Sequence, residues 1–196
     1  RCVDTLTFSA VEARKLTDAF EHTGAFAAET PLITEGPLAV FATGDEADAL
    51  GHHDDLRGYL RAHLDQLHPG DYFATLAYVE NSEPHRRVLD GIRTIVRDAR
   101  HVATCLGFGP RFLHSTGQVY KGGPNTGVFL EVTHDPHDDV PVEGKPYTFG
   151  VVEAAQARGD FEVLGQRHRR AMRVHVTGDL DVGLQALAIT MAEVLA

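Results

Sequence analysis

The feature that most constrains the fold of this chain is the alternation of short apolar runs with longer helical patterns. Each run is continuous rather than alternating between apolar and polar residues, and glycine, proline or charged residues bound it. Runs of this kind are typical of parallel strands buried on both faces, with helices as the crossover connections. The predicted strands cover residues 38–43, 72–79, 102–108, 128–132 and 171–176. We therefore predict a three-layer α/β/α sandwich around a mostly parallel, five-stranded sheet.

Helical patterns occupy most of the sequence between these runs. Apolar residues recur there at three- and four-residue spacing, which is the period of an amphipathic helix. The predicted helices cover residues 9–28, 45–68, 81–100, 149–164 and 183–196. Ser9 is the expected N-cap of the first helix, and the last is expected either in the core or in a homodimer contact. The predicted organisation is an N-terminal helical segment, 1–30, followed by one α/β domain, 31–196.

Composition excludes several functional classes. The chain has 196 residues, of which 43% are hydrophobic, so it can bury the core of a single domain. Its formal net charge of −10 argues against general nucleic-acid binding and leaves open a local basic pocket for one small anion. No apolar run approaches the length of a membrane span. The cysteines, Cys2 and Cys105, are too few for a disulfide scaffold, and we predict a reducing, cytoplasmic setting.

One polar segment carries most of the functional signal. It runs from Gly107 to Gly127, directly after a predicted strand, and it is longer than an ordinary strand-to-helix connection. Its glycines let backbone amides approach a ligand, and its side chains suit phosphate, sugar hydroxyls or proton transfer. Those side chains are Arg111, His114, Ser115, Thr116, Gln118, Lys121 and Asn125. Ligands of parallel sheets bind beyond the carboxyl ends of the strands. The loops expected at that edge follow Thr43, Val79, Phe108 and Val132. A surface excursion that binds nothing is the alternative interpretation.

At these residues the chain resembles a known family. GFGPRFLHSTGQVYKGGPNTGVFLEVT is similar to the loop near the C-terminus of the isomerase half of bifunctional transaldolase/glucose-6-phosphate isomerases. PLAVFATG, HPGDYFATLAYV and YTFGVVEAAQARGDFEVLGQRHRRAMRVHV resemble the flanking segments of that family, so the resemblance spans residues 30–178. It implies a sugar-isomerase (SIS) fold and the interconversion of glucose 6-phosphate and fructose 6-phosphate through a cis-enediol. It further implies that no metal or redox cofactor is needed, and a place in glycolysis, gluconeogenesis and the pentose phosphate pathway.

The resemblance also implies roles for individual residues. Ser115, Thr116 and Gln118 would hold the phosphosugar, together with Arg111 and Asn125. Lys121 or Arg111 would stabilise negative charge, and His114 would transfer protons. The pair Val119-Tyr120 departs from the family pattern, in which we expect Leu-His, and residues 134–139 are richer in His and Asp than expected.

A larger departure from the family pattern is that the chain is too short to contain all the domains of such an enzyme. A transaldolase barrel alone needs about 250 residues, and isomerases of this class place the active site between two SIS subdomains. The general base is expected upstream, because Glu131 and Glu153 match no base motif and are interpreted as strand-edge and helix-surface carboxylates. Since the chain begins at Arg1 rather than Met, we expect a fragment that forms one wall of the site. Its expected partners are the phosphosugar and the upstream isomerase and transaldolase parts of the same polypeptide.

Other candidate features favour structural roles. The His-Asp clusters at 52–55 and 134–139 are interpreted as solvated turns rather than metal sites. The basic run 167–170 is interpreted as a solvated face, and His175 as a core histidine. By itself the chain is expected to be inactive or nearly so. A non-catalytic phosphosugar-binding SIS module and a purely structural domain are the alternative functions.

Overall fold

The structure of the chain is a computed structural model that describes residues 3–136 and 138–196, with side chains from Ser9 onward. Cys2 and His137 therefore lie outside the described residues. The helices are α1 (Val3–Thr23), α2 (Gly44–Leu50), α3 (Leu56–Asp65), α4 (Glu83–Arg100), α5 (Thr116–Gly122), α6 (Phe149–Gln166) and α7 (Leu180–Leu195). The strands are β1 (Ile33–Glu35), β2 (Leu38–Ala42), β3 (Tyr72–Tyr78), β4 (Ala103–Phe108), β5 (Gly127–His134) and β6 (Arg170–Val176).

The strands form one mostly parallel sheet with the order β1-β2-β6-β5-β3-β4. The four strands from β3 to β6 are mutually parallel, whereas β2 runs antiparallel to β6 and pairs with β1 through a tight turn at Gly36. The predicted three-layer α/β/α sandwich is confirmed, but within the described residues the sheet has six strands rather than five. Since β2 is antiparallel, the loop after Thr43 lies at the opposite edge from the loops after β3, β4 and β5.

Helices cover both faces of the sheet. On one face α3, α4 and α7 contribute the apolar stripes that pack against the strands, with Leu60, Leu89 and Leu187 almost fully buried. On the other face α5 and α6 pack against the sheet and α1 packs along α6, with Phe161 and Leu164 in that core. Parallel strands need this cover because both of their faces are apolar.

Two predicted segments have a different local structure. The predicted helix 45–68 is divided in two: α2 ends at Gly51, which has φ 70°, and the Asp55 side chain caps α3 by accepting a hydrogen bond from the Gly58 amide at 2.7 Å. The polar segment after β4, predicted as a loop, contains a 3-10 turn, Arg111–His114, and then α5. Ser9 is not an N-cap, because α1 starts before it.

The connections diverge between two central strands. From β3 the chain crosses by α4 to β4 on one side, and from β5 it crosses by α6 to β6 on the other side. Parallel sheets leave a crevice at such a point, outside the carboxyl ends of the strands. The fold therefore places its candidate ligand site beyond Tyr78 and His134.

Candidate functional site: a cleft at the carboxyl edge of the sheet

A cleft of about 920 Å³ opens at this edge. The loops after β3, β5 and β6 border it, the first turns of α6 form one wall, and the connection between α1 and β1 reaches it through Phe26 and Glu29. A volume of several hundred Å³ is typical of sites for small organic ligands. The dimensions of the cleft therefore suit a metabolite rather than a single ion.

The floor of the cleft is polar because the strands become polar towards their carboxyl ends. On the face covered by α6, β5 presents Glu131 and then Thr133, and β6 presents Arg173 and then His175 at the paired positions. Thr133 Oγ1 and His175 Nδ1 are 2.9 Å apart and hydrogen bonded. The neighbouring strand β3 ends in Tyr78, which also lines the cleft. Three adjacent strands thus carry polar groups from the core into the cleft.

Beneath this floor lies an uncompensated carboxyl group. Glu131 is fully buried, and neither carboxyl oxygen has a hydrogen-bond partner among the described residues. Burial raises the pKa of Glu131 well above its ordinary value, and the nearby Arg173 only partly opposes this effect. The Tyr78 hydroxyl is also buried without a described partner, and burial raises the pKa of that hydroxyl. The interpretation of Glu131 as a strand-edge carboxylate is wrong, because β5 is a central strand.

Two arginines line the cleft and share one carboxylate. Arg173 Nη2 donates to Glu29 Oε1 at 2.7 Å, and Arg158 Nη1 lies 3.1 Å from Glu29 Oε2. The Arg173 guanidinium packs over the rings of Phe41 and Phe161, whose centroids are 4.5 and 4.9 Å from its Cζ. Aromatic faces attract a guanidinium and hold it in place. The cleft therefore contains a fixed cationic group.

The rim carries histidines and carboxylates. His85 Nε2 lies 3.0 Å from Asp181 Oδ1, and its Nδ1 lies 2.9 Å from the Glu80 carbonyl oxygen. Glu153, in the first turns of α6, is half-buried in the cleft wall, and burial raises the pKa of its carboxyl group. The interpretation of Glu153 as a helix-surface carboxylate is therefore wrong. His175 lies in the cleft lining and is partly exposed rather than enclosed in the core.

Lys121 does not face the cleft. It lies in α5 with 1% of its surface exposed, and its ammonium forms an ion pair with Asp160 of α6. The Ser9 hydroxyl of α1 donates to the same Asp160 oxygen at 3.2 Å. The catalytic role of Lys121 stays a prediction, but its ammonium group is not free to meet a ligand, because it is buried and paired. The buried pair joins three helices instead.

The other residues singled out in the polar segment occupy two places. Arg111, His114, Ser115 and Thr116 are exposed and follow Gly109, which lines the cleft. Gln118 is half-buried within α5. Asn125 precedes β5 and donates to the His168 carbonyl at 3.0 Å, so it lies at the amino edge of the parallel strands. These four exposed residues are thus not part of the cleft lining, although the segment that carries them starts at Gly109 on its border, and Asn125 lies at the opposite edge of the sheet.

The structure contradicts the sequence prediction for the basic run 167–170. Within the basic run, Arg169 is buried and donates to the carbonyls of Lys121 and Gly123, and Arg170 pairs with Asp71, so the run is not a solvated face. Among residues 3–136 and 138–196, no group of three metal-ligating side chains is placed to hold an ion. Within the same residues, none of the helices combines the length and the apolar character needed to cross a bilayer.

Sequence reasoning missed the residues that form the floor of the cleft. A signal for them exists: polar residues recur at every second position in the otherwise apolar runs FLEVT and AMRVHV. Because alternate residues of a strand share a face, these polar positions lie on one side of the sheet. Glu29 and Arg158 carry no comparable signal, since only the tertiary fold brings residues 29, 158 and 173 together.

Comparison with known proteins establishes the fold and nothing finer. Neither the protein-family models nor the curated proteins match this chain. The solved structures include a similar chain described as the crystal structure of hypothetical protein TT0462 from Thermus thermophilus, with a TM-score of 0.55 and 17% sequence identity. The similarity covers 71% of this chain and 37% of that chain, so this chain spans little more than a third of the length of the structure it matches.

Proposed function

We propose that the chain forms one wall of a phosphosugar site in an SIS-type aldose–ketose isomerase that interconverts glucose 6-phosphate and fructose 6-phosphate. The observation that carries the proposal is that the GFGPRFLHSTGQ segment, which resembles the isomerase family, starts at the edge of a metabolite-sized cleft. A ligand in the cleft would have Gly109 beside it, and the donors from Arg111 to Thr116 follow within a few residues.

The exposure of these donors supports a site completed by another part of the polypeptide. Arg111, His114, Ser115 and Thr116 are exposed at the surface of this chain. A phosphosugar site needs enclosing walls, because ligand pockets bury most of the surface of their ligand. An upstream SIS subdomain facing this segment would supply that wall, and it would also supply the glutamate base. Cytoplasmic location follows from this proposal, because both sugar phosphates are intracellular metabolites.

Within this site His114 would move the proton that opens the sugar ring, and Arg111 would stabilise the charge of the enediolate. A general acid–base group contributes roughly 10²–10⁴-fold to a rate. Ser115 and Thr116 would donate hydrogen bonds to sugar hydroxyls or to the phosphate. Lys121 would then act on this segment from within the core, by holding α5 against α6.

The test is an isomerase assay on this chain alone and on the chain joined to the preceding isomerase subdomain. We expect activity only in the joined form. There, His114→Gln should lower kcat/KM by about 10²–10⁴-fold, and His52→Gln, which changes a histidine that is 85% exposed in the loop before α3, should not lower it. Near-normal kinetics of His114→Gln would refute the assigned role.

Binding measurements separate the alternatives. A ligand that binds only the folded chain raises its melting temperature. If fructose 6-phosphate raises the melting temperature but the joined form shows no turnover, the chain is a phosphosugar-binding module. If neither preparation responds to the sugar phosphate, the phosphosugar proposal is wrong and a structural role remains.

A further inference from the structure

The two arginines of the cleft have the geometry of an anion site that the protein fills with its own side chain. Glu29 belongs to the connection between α1 and β1, residues 24–32, which has no helix or strand. Its side chain is 34% exposed, and each of its carboxyl oxygens lies within 3.1 Å of a different guanidinium. A carboxylate between two guanidiniums is chemically equivalent to a bound oxyanion.

At this position two guanidiniums meet one carboxylate. Both guanidiniums share the single negative charge of Glu29. Glu131, the carboxyl group paired in register with Arg173, is fully buried, and neither of its oxygens accepts a hydrogen bond from a guanidinium among the described residues. Asp135 lies near Arg158 but has its own partner, His175, at 3.6 Å, and its side chain is 85% exposed. A dianion would balance two guanidiniums better than one carboxylate does.

The hydrogen-bonding capacity of Arg173 is also incompletely used. Its Nη2 donates to Glu29, but its Nε is buried and has no acceptor among the described residues. Nε and Nη2 lie on the same edge of the planar guanidinium, and that edge binds two oxygens of a carboxylate or phosphate in parallel. The two aromatic rings that contact this guanidinium hold it in place before any ligand arrives.

We propose that Arg158 and Arg173 form the subsite for the phosphate group of a small phosphorylated ligand, and that Glu29 occupies this subsite until the phosphate displaces it. The connection that carries Glu29 has no helix or strand that must break when Glu29 moves, although Arg158 also donates to the Ala27 carbonyl oxygen at 3.1 Å and lies over the Phe26 ring. The identity of the ligand as a sugar phosphate rests on the proposed function. The oxyanion subsite itself rests on the contacts of the three side chains.

The experiment is a titration of the chain with inorganic phosphate, in which binding is measured by calorimetry and by the change in the ³¹P chemical shift. Glu29→Gln keeps the size of the side chain and removes the competing charge, so we expect the affinity for phosphate to rise at least tenfold. In the Glu29→Gln background, Arg158→Gln should abolish the gain in phosphate affinity. Arg158→Lys in the same background should keep only part of the gain, because an ammonium group cannot replace the planar guanidinium that binds two oxygens in parallel. Circular dichroism of each variant verifies that it is folded.

Glu21→Gln is the matched control, because Glu21 is equally exposed at 34% and pairs with Lys145 outside the cleft. It should leave phosphate affinity unchanged. The subsite is refuted if Glu29→Gln binds phosphate no more tightly than the unmodified chain, or if the gain survives loss of Arg158. The two proposals fail separately: if phosphate binds Glu29→Gln through Arg158 but fructose 6-phosphate binds no better than phosphate, the subsite stands and the sugar assignment does not.

Discussion

Glu131 places an ionisable side chain at the centre of the sheet with no hydrogen-bond donor for either oxygen among the described residues. Removing a charged carboxylate from water is costly, so the folded chain favours the protonated form, and the pKa of Glu131 rises well above its ordinary value. In the unfolded chain Glu131 has the ordinary pKa of a glutamate and loses its proton at a lower pH than in the folded chain. The contribution of Glu131 to the free energy of unfolding is therefore largest below the pKa of an ordinary glutamate. It is lost as the pH rises from there towards the raised pKa of Glu131 in the folded chain.

We predict that Glu131→Gln stabilises the chain at neutral pH, because the amide keeps the shape of the acid and cannot ionise. The gain in the free energy of unfolding should be near zero at pH 4 and should increase steadily as the pH is raised to 8, because only the glutamate loses a proton over this range. Urea denaturation at a series of pH values measures it. Glu143→Gln, at an exposed position, should show no such pH dependence. A difference that stays constant across the series would contradict a raised pKa of Glu131.

At the scale of elements, the polar segment after β4 is held in place by a buried ion pair. Lys121 of α5 meets Asp160 of α6, and Ser9 of α1 hydrogen bonds to the same oxygen of Asp160. Both charged side chains are 1% exposed. Breaking such a pair by removing one partner leaves an uncompensated buried charge, whereas neutralising both partners does not.

We predict that Lys121→Met lowers the free energy of unfolding by about 3–5 kcal/mol, and that Lys121→Met combined with Asp160→Asn loses less than the sum of the two single changes. Denaturation in urea gives all three values. The exposed pair Lys145–Glu21 is the control, and Lys145→Met there should cost about 1 kcal/mol or less. A loss for Lys121→Met as small as that for Lys145→Met would show that the buried pair does not hold α5.

The elements of the fold were largely predictable, and the exceptions have physical causes. Continuous or nearly continuous apolar runs marked five of the six strands of the described sheet, because strands covered on both faces are apolar at most positions. β1 was missed because its three residues, Ile33–Glu35, are too short for a periodic signal. α5 was missed because three of its seven residues are Gly or Thr, which favour helices poorly, and packing of Tyr120 and Lys121 overrides that preference.

At the scale of the molecule, the position of the cleft was predictable and most of its chemistry was not. The loops after Val79, Phe108 and Val132 do meet at one edge, because the strands before them are parallel. The side chains that form the floor and the two-arginine bridge come from residues up to 144 positions apart. The packing of α1 along α6 and the pairing of β1 with β2 hold the two ends of the connection that brings Glu29 to Arg173.

This packing predicts that α1 and the α/β domain unfold as one unit. Gly159 of α6 faces α1 so closely that a methyl group there would lie 2.8 Å from the Ala13 backbone nitrogen. Gly91, inside α4, is a matched helical glycine whose added methyl group would meet nothing within 4 Å. Replacing glycine by alanine in an open helix adds about 0.5–1 kcal/mol of stability.

We therefore expect Gly91→Ala to raise the urea midpoint and Gly159→Ala to lower it, because the same methyl group forces α1 away from α6 in the second case only. Displacement of α1 also weakens the hydrogen bond from Ser9 to Asp160, so amide hydrogens of both α1 and α5 should exchange faster in Gly159→Ala. If Gly159→Ala stabilises the chain as Gly91→Ala does, or if exchange increases in α1 alone, then α1 is an independent segment and the buried Lys121–Asp160 pair does not depend on it.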